Sequence, residues 1–116
     1  MFNAIKSLFS GVNVPTVDPV TLHAQLQEKK PPLVVDVRSK GEIKEGHIAK
    51  AKFIPLSNFS NALNKLPKNR AIVCVCHSGW RSNAACKQLI QAGFTDVTNM
   101  SGGMFAWSRA DLPTKK

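Results

Sequence analysis

A chain of 116 residues has room for one hydrophobic core and little more. Its 43% hydrophobic and 20% charged residues exclude a disordered polymer, and its longest unbroken apolar run, Ala71 to Cys76, falls far short of a membrane span of about 20 residues. The net charge of +9 fits an anionic small substrate, an acidic partner or plain solubility. With no Tyr, and with lysines scattered rather than interleaved with aromatics, it does not describe a nucleic-acid binder.

Residues 1–12 read as an appendage to a domain spanning residues 13–116. Phe2, Ile5, Leu8 and Phe9 share one face of a short helix that ends near Gly11. That face suits docking on the domain, or a membrane-surface or partner contact, although Lys6 alone makes its polar side only weakly basic. Asn3, Lys6, Ser7 and Ser10 interrupt the apolar residues, so no secretory h-region forms. Val14 to Val17 is expected as a first strand. Asp18-Pro19 then gives an N-cap and a proline at the first helical position, opening a helix that carries Val20, Leu22 and Leu26 to about Lys29 or Lys30. Pro31-Pro32 stops it.

Leu33-Val34-Val35 is the β-branched, apolar run of a strand buried on both faces, with Asp36 at its end. Ser39 and Glu42 form a capping-box pattern for a short helix that Gly46 ends. Phe53-Ile54 is a brief strand, followed by a helix through Phe59, Leu63 and Leu66 up to Pro67. Ala71 to Cys76 is the strongest strand and is expected at the centre of the sheet. Ser82 to Ala92 is the clearest helix, with Ala85, Leu89 and Ala92 inward and Gly93 closing it. Val97 marks a last strand, and Gly102-Gly103 a turn into a terminal helix with Phe105 and Trp107. Strands alternating with helices predict an α/β domain: a doubly wound parallel sheet of about five strands, flanked by helices on both faces. In such sheets ligands sit beyond the carboxyl ends of the strands.

That rule points to Cys76-His77-Ser78-Gly79-Trp80-Arg81, the loop between the central strand and the clearest helix. Unpaired loop amides and the positive end of a helix dipole favour a thiolate there, and cysteine's free pKa of about 8.5 falls to roughly 3.5–7.5 in such surroundings. Taken alone, Cys76 also fits a buried, inert core position, but a core strand has no need of the glycine and arginine that follow. Arg81 either adds its charge to the thiolate or fastens the loop by pairing with a carboxylate such as Asp36 or Glu42. His77 is an acid–base candidate or an exposed donor. Trp80 is a pocket wall or a platform for a partner protein. Cys74 shares the face of Cys76 but lies deeper, as packing. Cys86 packs inside the helix, or resolves an oxidised Cys76. Three cysteines within thirteen positions argue against a disulfide framework and for a reducing compartment, the cytoplasm, and Cys74-x-Cys76 lacks the spacing of a zinc site.

From about Val14 to Pro113 the sequence resembles the rhodanese family. Asp36-x-Arg38 closing a strand, Glu42-x-x-x-Gly46-His47-Ile48 with Ala51 and Ile54-Pro55-Leu56, the Cys76 loop, and Gly102-Gly103-Met104-x-x-Trp107 with Leu112-Pro113 follow that family's signatures in order. Lys50 stands where the family commonly has glycine, and Ile43 where it has an aromatic. The resemblance implies sulfane-sulfur transfer through a Cys76 persulfide, from a small anionic donor such as thiosulfate to cyanide, a thiol or a sulfur-accepting protein. It implies a substrate-binding loop of His77, Ser78, Gly79, Trp80 and Arg81, a structural His47, and no metal or organic cofactor. Two rivals stand beside it. A non-enzymatic binding or sulfur-relay module would keep the fold and act with a partner protein. A cysteine phosphatase or arsenate reductase would need one more residue than the four that separate Cys76 from Arg81.

Overall fold

The computed structural model describes residues 12–116, so residues 1–11 of the expected leading helix lie outside it. The order of elements is β1 (Thr16–Val17), α1 (Pro19–Gln25), β2 (Leu33–Asp36), α2 (Lys40–Lys44), β3 (Lys52–Phe53), α3 (Phe59–Ala62), β4 (Ile72–Val75), α4 (Trp80–Gln91), β5 (Val97–Met100) and α5 (Gly103–Arg109). All five strands are parallel, in the order β1-β5-β4-β2-β3, so β4 is central as its apolar run requires. Among the described residues no helix is long and apolar enough to cross a membrane.

The alternation of side chains along β4 divides the core. Ile72, Cys74 and Cys76 point to one face, where they meet Phe59 and Ala62 of α3 and Ala85, Cys86 and Leu89 of α4. Val73 and Val75 point to the other, packing with Leu22 of α1 and Met104 and Trp107 of α5. The sheet is therefore wound on both faces. Trp107 is fixed there by its indole N–H, which donates to the Pro113 carbonyl at 3.0 Å.

Several boundaries differ from expectation for local reasons. Helix α1 ends at Gln25, and the chain closes in tighter turns, with Gln27 N–H to the Ala24 carbonyl and Glu28 N–H to the Gln25 carbonyl, each at 3.1 Å. Pro31 disfavours helical backbone at Lys30, so the helix winds down before the prolines rather than against them. The segment through Phe59, Leu63 and Leu66 breaks into a short α-helix between two 3-10 turns, Leu56–Asn58 and Leu63–Lys65, and Leu66 is already extended ahead of Pro67. Strand β5 runs on to Met100 because Asn99 and its neighbours pair with β1 on one side and β4 on the other. Asn99 has little strand propensity, and its place between two strands overrides that.

Lys50, at the position where the family that the sequence resembles commonly has glycine, adopts φ +66 on an exposed turn. A side chain in that left-handed region costs about 1–2 kcal/mol, partly offset by the lower unfolded-state entropy of a non-glycine residue. Lys50→Gly is expected to stabilise the fold by up to about 1 kcal/mol in urea titration.

Candidate active site

Cys76 follows β4 directly, and the strand's alternation turns its side chain toward the α4 face. The residue is 1% exposed, yet its sulfur does not face apolar atoms alone. The Gly79 N–H reaches Sγ at 3.0 Å and the Ser82 hydroxyl at 3.2 Å. Gly79, at φ +107, occupies the cap position of α4 and makes the turn that sends its amide back to the sulfur. Helix α4 therefore starts at Trp80, two residues earlier than Ser82, and Ser82 falls in its first turn with its hydroxyl toward Cys76.

Amides converge on the sulfur because the loop's carbonyls are held elsewhere. Met104 N–H donates to the Cys76 carbonyl at 2.8 Å, and Phe105 N–H to the His77 carbonyl at 3.0 Å. The first turn of α5 thus lies directly against the loop backbone. A Cβ on Gly103 would stand 2.6 Å from the Cys76 carbonyl oxygen and closer still to that of His77, so only glycine permits the approach. Burial pushes the Cys76 thiol up. The Ser82 hydroxyl and the amides of Ser82, Gly79 and Ser78 outweigh it, and the group ionises below the usual thiol range.

The arginine of the loop is fastened outward. Arg81 makes a two-pronged ion pair with Glu42 of α2, both N–O distances being 2.7 Å. Glu42 Oε1 also accepts from the Ser39 N–H at 3.2 Å and the Ser39 hydroxyl at 3.0 Å, the expected capping box. The Arg81 guanidinium, with help from Ser39, lowers the Glu42 carboxyl to about 2 against its burial. Asp36, the other partner considered for Arg81, is taken by Arg38. Nη2 and Nε of that side chain meet Oδ2 and Oδ1 at 2.8 and 2.9 Å, and Nη2 reaches the Gly46 carbonyl at 2.8 Å. This second pair is buried and ties the end of β2 to the segment after α2.

His77 and Ser78 are exposed, Gly79 is half-buried and Trp80 is 85% exposed, a platform beside the loop rather than the wall of a pocket. An open groove of about 720 Å³ reaches the loop at His77 and runs past Glu42, Glu45, Met104 and Phe105. Cys74 and Cys86 are buried free thiols beneath Cys76. They touch each other, and the Cys86 contact together with burial pushes Cys74 well above the usual thiol range. His47 is structural, exchanging backbone hydrogen bonds with Lys115 and setting its ring edge-on to Phe53 at 4.8 Å.

Three contributors escape a reading of the loop alone. Ser82 reads only as a helix start, Gly103 only as a turn, and Asn99, whose side-chain Nδ2 donates to the Gly79 carbonyl at 3.1 Å, carries no sequence signal. Serine in the first turn six residues after the cysteine is a signal that could have been used. The other two arise from contacts between elements.

Two tests follow from this geometry. Because the folded Glu42 carboxyl is depressed from 4.5 to about 2, the stability it adds is fully present above pH 4.5 and is lost as pH falls toward 2. Urea titrations of the parent and Glu42→Gln are expected to differ above that window and converge through it. Gly103→Ala is expected to lose about 2–3 kcal/mol in the same assay, from the left-handed φ and the forced contact with the loop carbonyls.

Residues 18–110 match the family model described as Rhodanese-like domain. A sulfurtransferase of Allochromatium vinosum is 37% identical over 97 residues, covering 84% of this chain and 91% of that one. The thiosulfate sulfurtransferase GlpE of Shewanella oneidensis is 32% identical over 87 residues, covering 75% of this chain and 86% of its own. The crystal structure of a rhodanese-like domain protein from Staphylococcus aureus superimposes with TM-score 0.79 at 35% identity, covering 89% of this chain and all of that one.

Proposed function

The chain belongs to the rhodanese-like domain family, and from that premise we propose that it is a sulfurtransferase carrying sulfane sulfur as a persulfide on Cys76. The observation that carries this reading is the pair of donors on one sulfur, Gly79 N–H at 3.0 Å and Ser82 hydroxyl at 3.2 Å. A thiol destined for packing needs neither, whereas a thiolate and a persulfide both carry charge that such donors hold in place.

In the first step the Cys76 thiolate attacks the outer sulfur of a donor such as thiosulfate. The donor's S–S bond breaks, sulfite leaves with the electron pair, and the sulfur remains on Cys76. In the second step cyanide or a thiol attacks the terminal sulfur, the new S–S bond breaks, and the Cys76 thiolate returns. One difficult transfer becomes two displacements with no change in the enzyme's overall oxidation state. His77, Ser78, Gly79 and Trp80 form the rim that meets donor and acceptor. Arg81 contributes by holding the loop through Glu42 and by keeping a positive charge near the nucleophile. Four residues between Cys76 and Arg81 make a cradle suited to one sulfur atom rather than to a tetrahedral oxyanion, which disfavours phosphate-ester chemistry. Three free thiols suit a reducing compartment, the cytoplasm.

A second reading keeps the persulfide but makes a protein the acceptor, or makes the domain a relay module with little activity toward small molecules. The exposure of Trp80, 85% beside the nucleophile, favours a protein surface in at least one half-reaction.

Intact mass after incubation with thiosulfate tests the reading. A gain of one sulfur, removed by cyanide and absent in Cys76→Ser, is the expected result. No gain from thiosulfate or any other sulfane donor, in protein that is folded, would leave the binding-module reading in its place.

A further inference from the structure

Asn99 lies in β5 beneath the sulfur-carrying loop, 6% exposed, with Thr16 and Cys74 as its partners on the strands to either side. Its backbone N–H is fixed to the Pro15 carbonyl at 2.9 Å. Side-chain Nδ2 donates to the Gly79 carbonyl at 3.1 Å, while Oδ1, equally buried, meets no donor among the described residues. The orientation of the amide follows from its partner, since a carbonyl only accepts. A buried amide with half its hydrogen-bonding capacity unused is a poor choice for stability, because an apolar side chain would fill the same space without that desolvation.

What the amide does is specific to the loop. Helix α4 has a glycine at its cap and no side chain capping its own first turn. The cap carbonyl is gripped from two sides, by Asn83 N–H within the helix at 3.1 Å and by Asn99 across from β5. Only φ and ψ of Gly79 separate this carbonyl from the N–H that faces the Cys76 sulfur at 3.0 Å. Glycine's wide freedom in those two angles means that the direction of its N–H has to be set from outside.

We propose that Asn99 is a positioning residue for the sulfur-carrying loop, holding the Gly79 carbonyl so that the Gly79 N–H stays aimed at the Cys76 sulfur. It acts through Gly79 and touches neither donor nor acceptor. The proposal rests on Cys76 being the sulfur carrier, because the amide's direction matters only for a charged sulfur. The orphaned Oδ1 is then the consequence of placing an amide where one donor, and nothing else, is wanted.

The test follows the thiolate absorbance of Cys76 against pH, subtracting the same titration in a Cys76→Ser background, for the parent, Asn99→Leu and Asn99→Ala. The ionisable groups around Cys76 are Arg81 on α4 paired with Glu42 on α2, Arg38 paired with Asp36 at the end of β2, His77 on the loop, and the Cys74 and Cys86 thiols. Neither substitution alters any of them. The expected result is a midpoint raised by about one pH unit, a tenfold loss of thiolate below the midpoint, the size of one weakened hydrogen bond to a charged group. If the leucine is not accommodated, the alanine variant decides alone, since it adds no volume. A midpoint unmoved by loss of the amide, whatever happens to stability, overturns the proposal while leaving the sulfur-carrier reading intact. A parent midpoint in the ordinary thiol range overturns both.

Discussion

Two backbone hydrogen bonds, from Met104 N–H to the Cys76 carbonyl and from Phe105 N–H to the His77 carbonyl, set the conformation on which the sulfur site depends. A loop that leaves a strand and enters a helix has as many carbonyls as amides, and an unconstrained one presents both kinds of dipole to whatever lies at its centre. Here the start of α5 draws two carbonyls outward, so the amides are left to face inward. The result is a local positive field built from peptide dipoles, which does not move away when the sulfur's charge changes. The constraint is steric as much as electrostatic, since the backbones meet so closely that Gly103 has no room for a side chain.

A second layer of restraint comes from charges that do not touch the sulfur. Glu42 joins two jobs, closing the start of α2 through Ser39 and gripping Arg81 at the start of α4. Arg38 does the same in the buried layer, linking Asp36 to the chain around Gly46. The signatures Asp-x-Arg and Glu-x-x-x-Gly-His therefore work as a brace between β2, α2 and the loop. Part-exposed pairs such as Arg81–Glu42 add modest stability by themselves, and their value lies in fixing where the first turn of α4 sits. The buried Arg38–Asp36 pair is a stricter requirement, because either partner left alone would be an uncompensated charge in the core.

Much of this was legible in residue order. The apolar runs Leu33–Val35 and Ala71–Cys76, each too short for a helix and separated by helical periodicity, point to a parallel sheet wound on both faces, and the sheet has that form. The end of its central strand led to Cys76 without any knowledge of contacts. The capping box at Ser39 and Glu42 was visible because its two partners are three residues apart. Boundaries were less legible. The break in the segment from Phe59 to Leu66 and the length of β5 depend on what each packs against, and neither partner is near in sequence.

The amino-acid sequence by itself determined the α/β architecture, the central strand, and the cysteine and loop at that strand's end, because hydrophobic period, capping and glycine placement act over a few residues. Only the tertiary structure decided which carboxylate Arg81 takes, which way the loop's peptides turn, that Trp80 stands in solvent, and that Asn99 reaches Gly79. Apart from the exposure of Trp80, those depend on groups 20 to 39 residues apart being brought within about 3 Å, and their spacing in the chain carries no trace of it.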